Sequence, residues 1–386
     1  MFWHSSLLPA TKKSNNISFS GSGWNVDNVA GSDFTDNLKL VFNNNRPVEQ
    51  VTNLIPMHGT FTEPATGGVV ADGNIIVLIP EGLNRITLVD VPISGSATNF
   101  SDASDSITGG RKGAALSNND EIYAIPSTSS SILKISNYAD TGGGPGINTT
   151  FGSLGGDVDK WVGAVRGQNG KIYGIPFNAD DVLVIDPTND TTTTIGSVAV
   201  GGQKWRGGCL SPINGKIYGM PYDSDTVLVI DPATDTVSTI GPIPSVGVTT
   251  ARFSGCVMST SGTLYGIPYD ASSVLSIDTS TDSLSVFGSL GVDSGKWEGG
   301  AMATDGKIYA APYNASSILV IDPFTETTDT FGSFSSGGGK WRNPVLGRNG
   351  RIYMIPANAS SDLLEVGQGG YNITRNITQS RYLNKF

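Results

Sequence analysis

Short apolar and alternating runs recur along most of this chain, each bounded by Gly, Pro, Asn or Asp. Lys171-Ile172-Tyr173-Gly174-Ile175-Pro176 and Val227-Leu228-Val229-Ile230 are representative. They are too brief for helices and rich in β-branched and aromatic residues, so they predict strands. Proline ends many of them, as at Pro176, Pro221, Pro268, Pro312 and Pro356, because it cannot donate to a ladder.

The runs belong to a repeat. Lys204-Trp205-Arg206-Gly207-Gly208 leads to Asn214-Gly215-Lys216-Ile217-Tyr218, and Lys296-Trp297-Glu298-Gly299-Gly300 leads to Asp305-Gly306-Lys307-Ile308-Tyr309. Equivalent tyrosines at 123, 173, 218, 265, 309 and 353 are separated by 50, 45, 47, 44 and 44 residues. A degenerate copy precedes them at Gly67–Pro80. Each copy reads as four strands. The first follows the Trp through small residues, which suits strands converging on an axis. Asn-Gly or Asp-Gly makes the next hairpin, since both central positions of a type I′ turn need positive φ. A polar turn separates the second strand from the third. An Asp-Pro turn such as Asp231-Pro232-Ala233-Thr234-Asp235 then leads to a Thr- and Val-rich fourth strand.

Four strands per copy and seven copies predict an all-β fold, a seven-bladed β-propeller of four-stranded blades with an irregular N-terminal arm. Blades are expected to start near residues 67, 113, 162, 206, 254, 298 and 342, giving an arm over residues 1–66 and a propeller over 67–386. The last blade needs an outer strand, either from Tyr371–Thr378 or from an N-terminal segment such as Leu38–Phe42 that would lock the ring. The arm holds both histidines, His4 and His58, and is read as docking onto the propeller or a neighbouring subunit.

Fifty glycines, 20 prolines and only 15% charged residues agree with a turn-rich β protein. A formal charge of −10 argues against a grip on nucleic acid or on an anionic membrane surface, both of which need a basic footprint. No run is long and apolar enough for a membrane helix. The start lacks a basic segment followed by a sustained apolar one, so no secretory signal is expected. Cys209 and Cys256 are too few for a disulfide framework but occupy similar places in consecutive repeats. They are read as small buried hydrophobes, with a bridge between neighbouring blades as the alternative.

Candidate chemistry gathers on one face, where the loop between strands two and three and the loop between blades emerge. It would hold Lys160-Trp161, Lys204-Trp205, Lys296-Trp297 and Lys340-Trp341, with Arg252-Phe253 in the fifth blade. It would also hold Phe177-Asn178, Tyr222-Asp223, Tyr269-Asp270, Tyr313-Asn314 and Ala357-Asn358. An aromatic, a cation and a carboxylate or amide repeated around a rim suit sugar binding: rings stack on a pyranose and polar groups take its hydroxyls. A Trp repeated once per blade is more often an inter-blade wedge, with its Lys laid along it. The tyrosines of Lys-Ile-Tyr read as core with a backbone partner for each hydroxyl, and Asp186, Asp231, Asp278 and Asp322 as turn residues. No histidine lies within the repeats, and neither a calcium loop nor a Gly-x-Ser-x-Gly elbow is present. No catalytic residue, metal site or cofactor is expected.

The motif Asn-Gly-Lys-Ile-Tyr-Gly-x-Pro-Tyr-Asp-x-x-x-Val-Leu-x-Ile-Asp-Pro resembles the kelch-like and lyase-like propeller superfamily over roughly residues 67–366. The resemblance implies the architecture. Antibiotic-inactivating lyases of that type rely on a central histidine, and this chain departs from them there. The irregular start and the closing Arg381-Tyr382-Leu383-Asn384-Lys385-Phe386 resemble phage or other viral structural proteins. That resemblance implies a non-enzymatic virion protein, a capsid or tail decoration or fibre. Residues 1–66 would dock to other virion proteins in a larger assembly, and the propeller could bind host-surface glycans. The alternatives are an extracellular or cell-surface lectin-like or protein-interaction propeller, and a propeller lyase or glycoside hydrolase using acidic residues.

Overall fold

A computed structural model describes residues 50–55, 64–71, 75–81, 85–91, 99–104, 109–136, 147–198, 201–358 and 362–368. These residues form seven antiparallel sheets of four strands each, arranged in a ring, and among them there is no helix. The fold is the seven-bladed β-propeller that the repeat predicts. Both histidines lie outside the described residues.

Blade four shows how the sequence builds each unit. Its strands are Trp205–Leu210, Ile217–Pro221, Val227–Asp231 and Thr236–Ile240, running from the axis outward. The second and third carry the apolar runs and are buried almost throughout, clamped between neighbouring blades. The fourth, Thr-Val-Ser-Thr-Ile, lies on the rim with Thr236, Ser238 and Thr239 exposed and Val237 and Ile240 half-buried against the core. The inner strands of the seven blades begin at Ala65, Arg111, Trp161, Trp205, Phe253, Trp297 and Trp341.

The seventh blade is closed by Gln50–Ile55, which pairs antiparallel with Leu363–Gln368 in the register Gln50↔Gln368 to Ile55↔Leu363. An N-terminal strand therefore locks the ring, and it lies inside the stretch expected to be an arm. Leu38–Phe42 and Tyr371–Thr378 lie outside the described residues, as does everything before Gln50.

Every inner strand slips register by a bulge just after its first residues, as between Trp205 and Gly208 or Phe253 and Cys256. In blades two to six the bulge brings one glycine of the inner strand to the axis. A Cβ built on Gly113, Gly163 or Gly207 would stand 2.8 Å from the Cα of Gly163, Gly207 or Gly255 respectively, and the next step, Gly255 to Gly299, is 3.3 Å. The inner strands pack backbone on backbone, which only glycine permits. Asn343 takes the seventh place at φ 39°, and its side-chain amide donates to the Thr66 carbonyl at 2.6 Å. This collar is the floor on which the site is built.

Candidate functional site at the axial mouth

The inner strand begins, and the second strand ends, at the same end of each blade, as the pair Trp205↔Pro221 shows. The loops gathered there make one face of the ring, and the positions that repeat around it serve the joints between blades. Trp161, Trp205, Trp297 and Trp341 are buried against the preceding blade. Their indole Nε1 atoms donate to the carbonyls of Asp181, Thr226, Ser317 and Asp362 at 2.7–2.9 Å. With this burial, no ring face of the four tryptophans is presented to a ligand. Lys160, Lys204, Lys296 and Lys340 are buried beside them, and burial pulls each ammonium below its ordinary range. Lys160 Nζ donates to the carbonyls of Ser129, Asp157 and Ser127 (2.9, 3.1 and 3.2 Å), Lys204 to Gly201, Lys296 to Asp293 and Lys340 to Gly337. Arg252 does the same in blade five through the carbonyls of Asp223 and Ser224.

The Asn or Asp after the strand-two aromatic is also mortar. Asn178, Asp223, Asp270 and Asn314 accept the amides of Gln203, Ala251, Gly295 and Gly339, each one residue before the next blade's cation. On the opposite face Asp186, Asp231, Asp278 and Asp322 accept an amide two residues on, the Asx turn that the sequence predicts. The Lys-Ile-Tyr tyrosines are core, but most hydroxyls find side chains rather than backbone. Tyr123, Tyr173 and Tyr218 donate to Asp190, Asp235 and Asp282 in the next blade's outer turn, at 2.8, 2.9 and 2.5 Å. Tyr265 donates to a carbonyl, that of Pro323. Tyr309 donates to its own blade's Asp305 at 2.8 Å.

Chemistry that differs from blade to blade sits at two other positions. The residue after the strand-two proline is Glu81, Ser127, Phe177, Tyr222, Tyr269, Tyr313 and Ala357 in turn around the ring. From blade three to blade six it forms an aromatic arc, with ring centroids 5.4, 5.8 and 5.9 Å apart from Phe177 through Tyr222 and Tyr269 to Tyr313. The three tyrosines are half-buried, so part of each ring faces outward.

The second varying position is the second residue of each inner strand: Thr66, Lys112, Val162, Arg206, Ser254, Glu298 and Arg342. Arg206 reaches across blade five to Glu298, Nη2 to Oε1 at 2.6 Å, and its guanidinium lies 5.5 and 5.2 Å from the Tyr222 and Tyr269 rings. Glu298 is only 2% exposed. Burial works to lower the Arg206 guanidinium, but Glu298 and the two phenols outweigh it and hold the group above its ordinary range. Arg342 lies 5.5 Å from the Tyr313 ring and pairs with Glu81 of blade one at 3.2 Å. Lys112 pairs with Asp159 at 3.0 Å, and Ser127 donates to the same oxygen at 2.5 Å. Burial pushes the Asp159 carboxyl up, but Ser127 and Lys112 together hold it below the usual carboxylate range.

Three ion pairs therefore stand at the mouth, with the Arg206 guanidinium against Tyr222 and Tyr269 and the Arg342 guanidinium against Tyr313. Tyr222, Tyr269 and Tyr313, which the sequence singles out, are part of it. Arg206, Glu298, Arg342, Glu81, Lys112 and Asp159 are not singled out by a search for constant features. The signal that finds them is the opposite one: a position that changes charge from copy to copy inside an otherwise constant frame. Among the described residues no three His, Cys, Asp or Glu side chains gather as a metal site would.

No protein-family model and no curated protein matches the chain. Among solved structures, a streptogramin B lyase is similar at TM-score 0.68 and 13% identity, over 83% of this chain and 98% of its own. A Staphylococcus aureus virginiamycin B lyase, solved as an inactive variant with quinupristin, matches at 0.68 and 11%, over 82% and 99%. YCF48 bound to a D1 peptide matches at 0.59 and 11%, over 86% and 98%. Propellers of both enzymatic and peptide-bound kinds share this backbone, and what the likeness shows is the seven-bladed fold.

Proposed function

We propose that this protein is a non-enzymatic recognition propeller whose axial mouth, in the arc of blades three to six, takes a neutral polar ligand with a flat apolar face, a glycan above all. The observation that carries the reading is the arc of Phe177, Tyr222, Tyr269 and Tyr313, whose tyrosines lie against the guanidinium groups of the Arg206–Glu298 and Arg342–Glu81 pairs. Rings offer stacking surface, and paired guanidinium and carboxylate groups offer donors and acceptors in alternation. Glu298 and Glu81 each already hold a cation, which suits a fixed binding floor better than a proton acceptor.

The setting proposed for it is display on a larger particle, a virion by the character of the chain ends. Strand direction supports this. Gln50 and Gln368 pair at the end of blade seven away from Trp341 and Pro356, hence away from the mouth. The described chain therefore begins and ends on the side of blade seven opposite the mouth.

The test is a glycan array probed with the full chain and with Tyr269→Ala, melting curves recorded alongside. Binding by the parent, weakened at least tenfold in the variant, is expected. No signal above background overturns the glycan reading, and bound glycans recovered shortened or unsaturated overturn the non-enzymatic one.

A further inference from the structure

We propose that Cys209 and Cys256, the only cysteines of the chain, form a reversible disulfide that staples blade four to blade five beside the axis. Cys209 lies in the inner strand of blade four opposite Tyr218, and Cys256 in that of blade five opposite Gly266. The glycine collar brings these two strands together: a Cβ on Gly207 would stand 2.8 Å from the Gly255 Cα. The bulges then turn the two thiols toward each other, with Sγ atoms 2.6 Å apart. Cys209 belongs to an apolar cluster with Tyr218, Met220, Met258 and Leu264, and Cys256 packs against it. No other pair in the chain can form, and the bridge joins neighbouring blades without involving the mouth.

The step is thiol–disulfide exchange with a small disulfide such as glutathione disulfide. The thiolate of half-buried Cys256 attacks one oxidant sulfur and releases a thiolate. Cys209 then attacks Cys256 Sγ in the mixed disulfide and expels the second. Two protein thiols are oxidised, the oxidant is reduced to two thiols, and the two protons pass to them. Burial and the neighbouring thiol hold the Cys256 thiol well above its ordinary range, so the first attack is slow and the incubation must be long. The residues lie 47 apart, so the cross-link removes loop entropy from the unfolded chain and raises the melting temperature.

The test uses the full chain, reduced and then incubated with glutathione disulfide. Expected are the loss of two hydrogens in the intact mass, no thiol reactive to maleimide after denaturation, and a Cys209–Cys256 cross-linked peptide. The melting temperature should rise by several degrees and fall back on adding dithiothreitol, while Cys209→Ser/Cys256→Ser does not respond to the oxidant. Two maleimide-reactive thiols after oxidation, glutathione retained on either cysteine, only intermolecular dimers, or a cross-link that lowers the melting temperature would each overturn the proposal.

Discussion

Gly207 takes φ +72° in the innermost strand of blade four, where a Cβ would meet the Gly255 Cα at 2.8 Å and its amide nitrogen at 3.2 Å. Gly337 has nearly the same conformation, φ +76°, in a loop with nothing within 4 Å of a built Cβ. The pair separates two costs that glycine usually hides together. Gly337→Ala should lose about 1 kcal/mol for the left-handed backbone alone. Gly207→Ala should lose about 3 kcal/mol, because the collar must also open against rigid backbone. Urea midpoints at constant slope measure both, and equal losses would remove the argument that the collar is packed to its limit. A second residue, Asp235, ties two blades by accepting Lys171 Nζ at 2.8 Å and the Tyr173 hydroxyl at 2.9 Å. The Lys171 ammonium, with help from Tyr173, holds this carboxyl below its ordinary range. Near the ordinary carboxylate range the unfolded chain then binds more protons than the folded one. The contribution is therefore full above about pH 4 and fades as pH falls through the folded value. Asp235→Ala should cost about 1 kcal/mol at neutral pH, the site being partly exposed, and clearly less at pH 3. Urea melts of both proteins at the two pH values check this, and a difference that stays constant or grows in acid would contradict it.

Among elements, the strand Gln50–Ile55 has the largest consequence for its length. It is the fourth strand of blade seven, hydrogen-bonded along Leu363–Gln368, while the other six blades are each contiguous in sequence. Removing it would leave the Leu363–Gln368 edge unpaired and the ring unlocked. Edge strands left open in this way pair with other chains. Deleting residues 1–49 should leave a monomeric propeller whose melting temperature is close to that of the full chain. Deleting residues 1–55 should lower it by about 10 °C or more, or give aggregates on size exclusion. Equal behaviour of the two truncations would mean that the closing strand adds nothing. The inner strands teach a different lesson. Their Lys-Trp entry is conspicuous in the sequence and is spent on joints: indole Nε1 on a carbonyl, ammonium on carbonyls, ring against the preceding blade. A feature that recurs in nearly every blade meets a need that every blade shares, and the shared need is to be joined to its neighbour.

At the scale of the whole molecule, the chain uses near-identical units to build a frame and places differences where the units converge. The repeat spacing, the Asn-Gly hairpins, the Asp-Pro turns and the proline-terminated strands are local features. Each dictates backbone conformation over a few residues, so the number of blades, the strands per blade and the Asx turns are legible in the sequence. Glu298 pairing with Arg206 two blades away is not legible, because 92 residues separate them and only ring closure brings them together. The same holds for Arg342 on Glu81, 261 residues apart, and for the tyrosine hydroxyls that reach acids in the next blade. Which of the aromatic residues are wedges and which line the mouth also depends on tertiary packing. Both kinds stand beside polar residues in similar motifs, and burial against a neighbouring blade alone distinguishes Trp205 from Tyr222. By itself, then, the sequence determined the propeller, through turns and strand periodicity that act over a few residues. The identity of the closing strand, the glycine collar and the paired charges of the mouth were decided only by the closed ring, because each joins residues far apart along the chain.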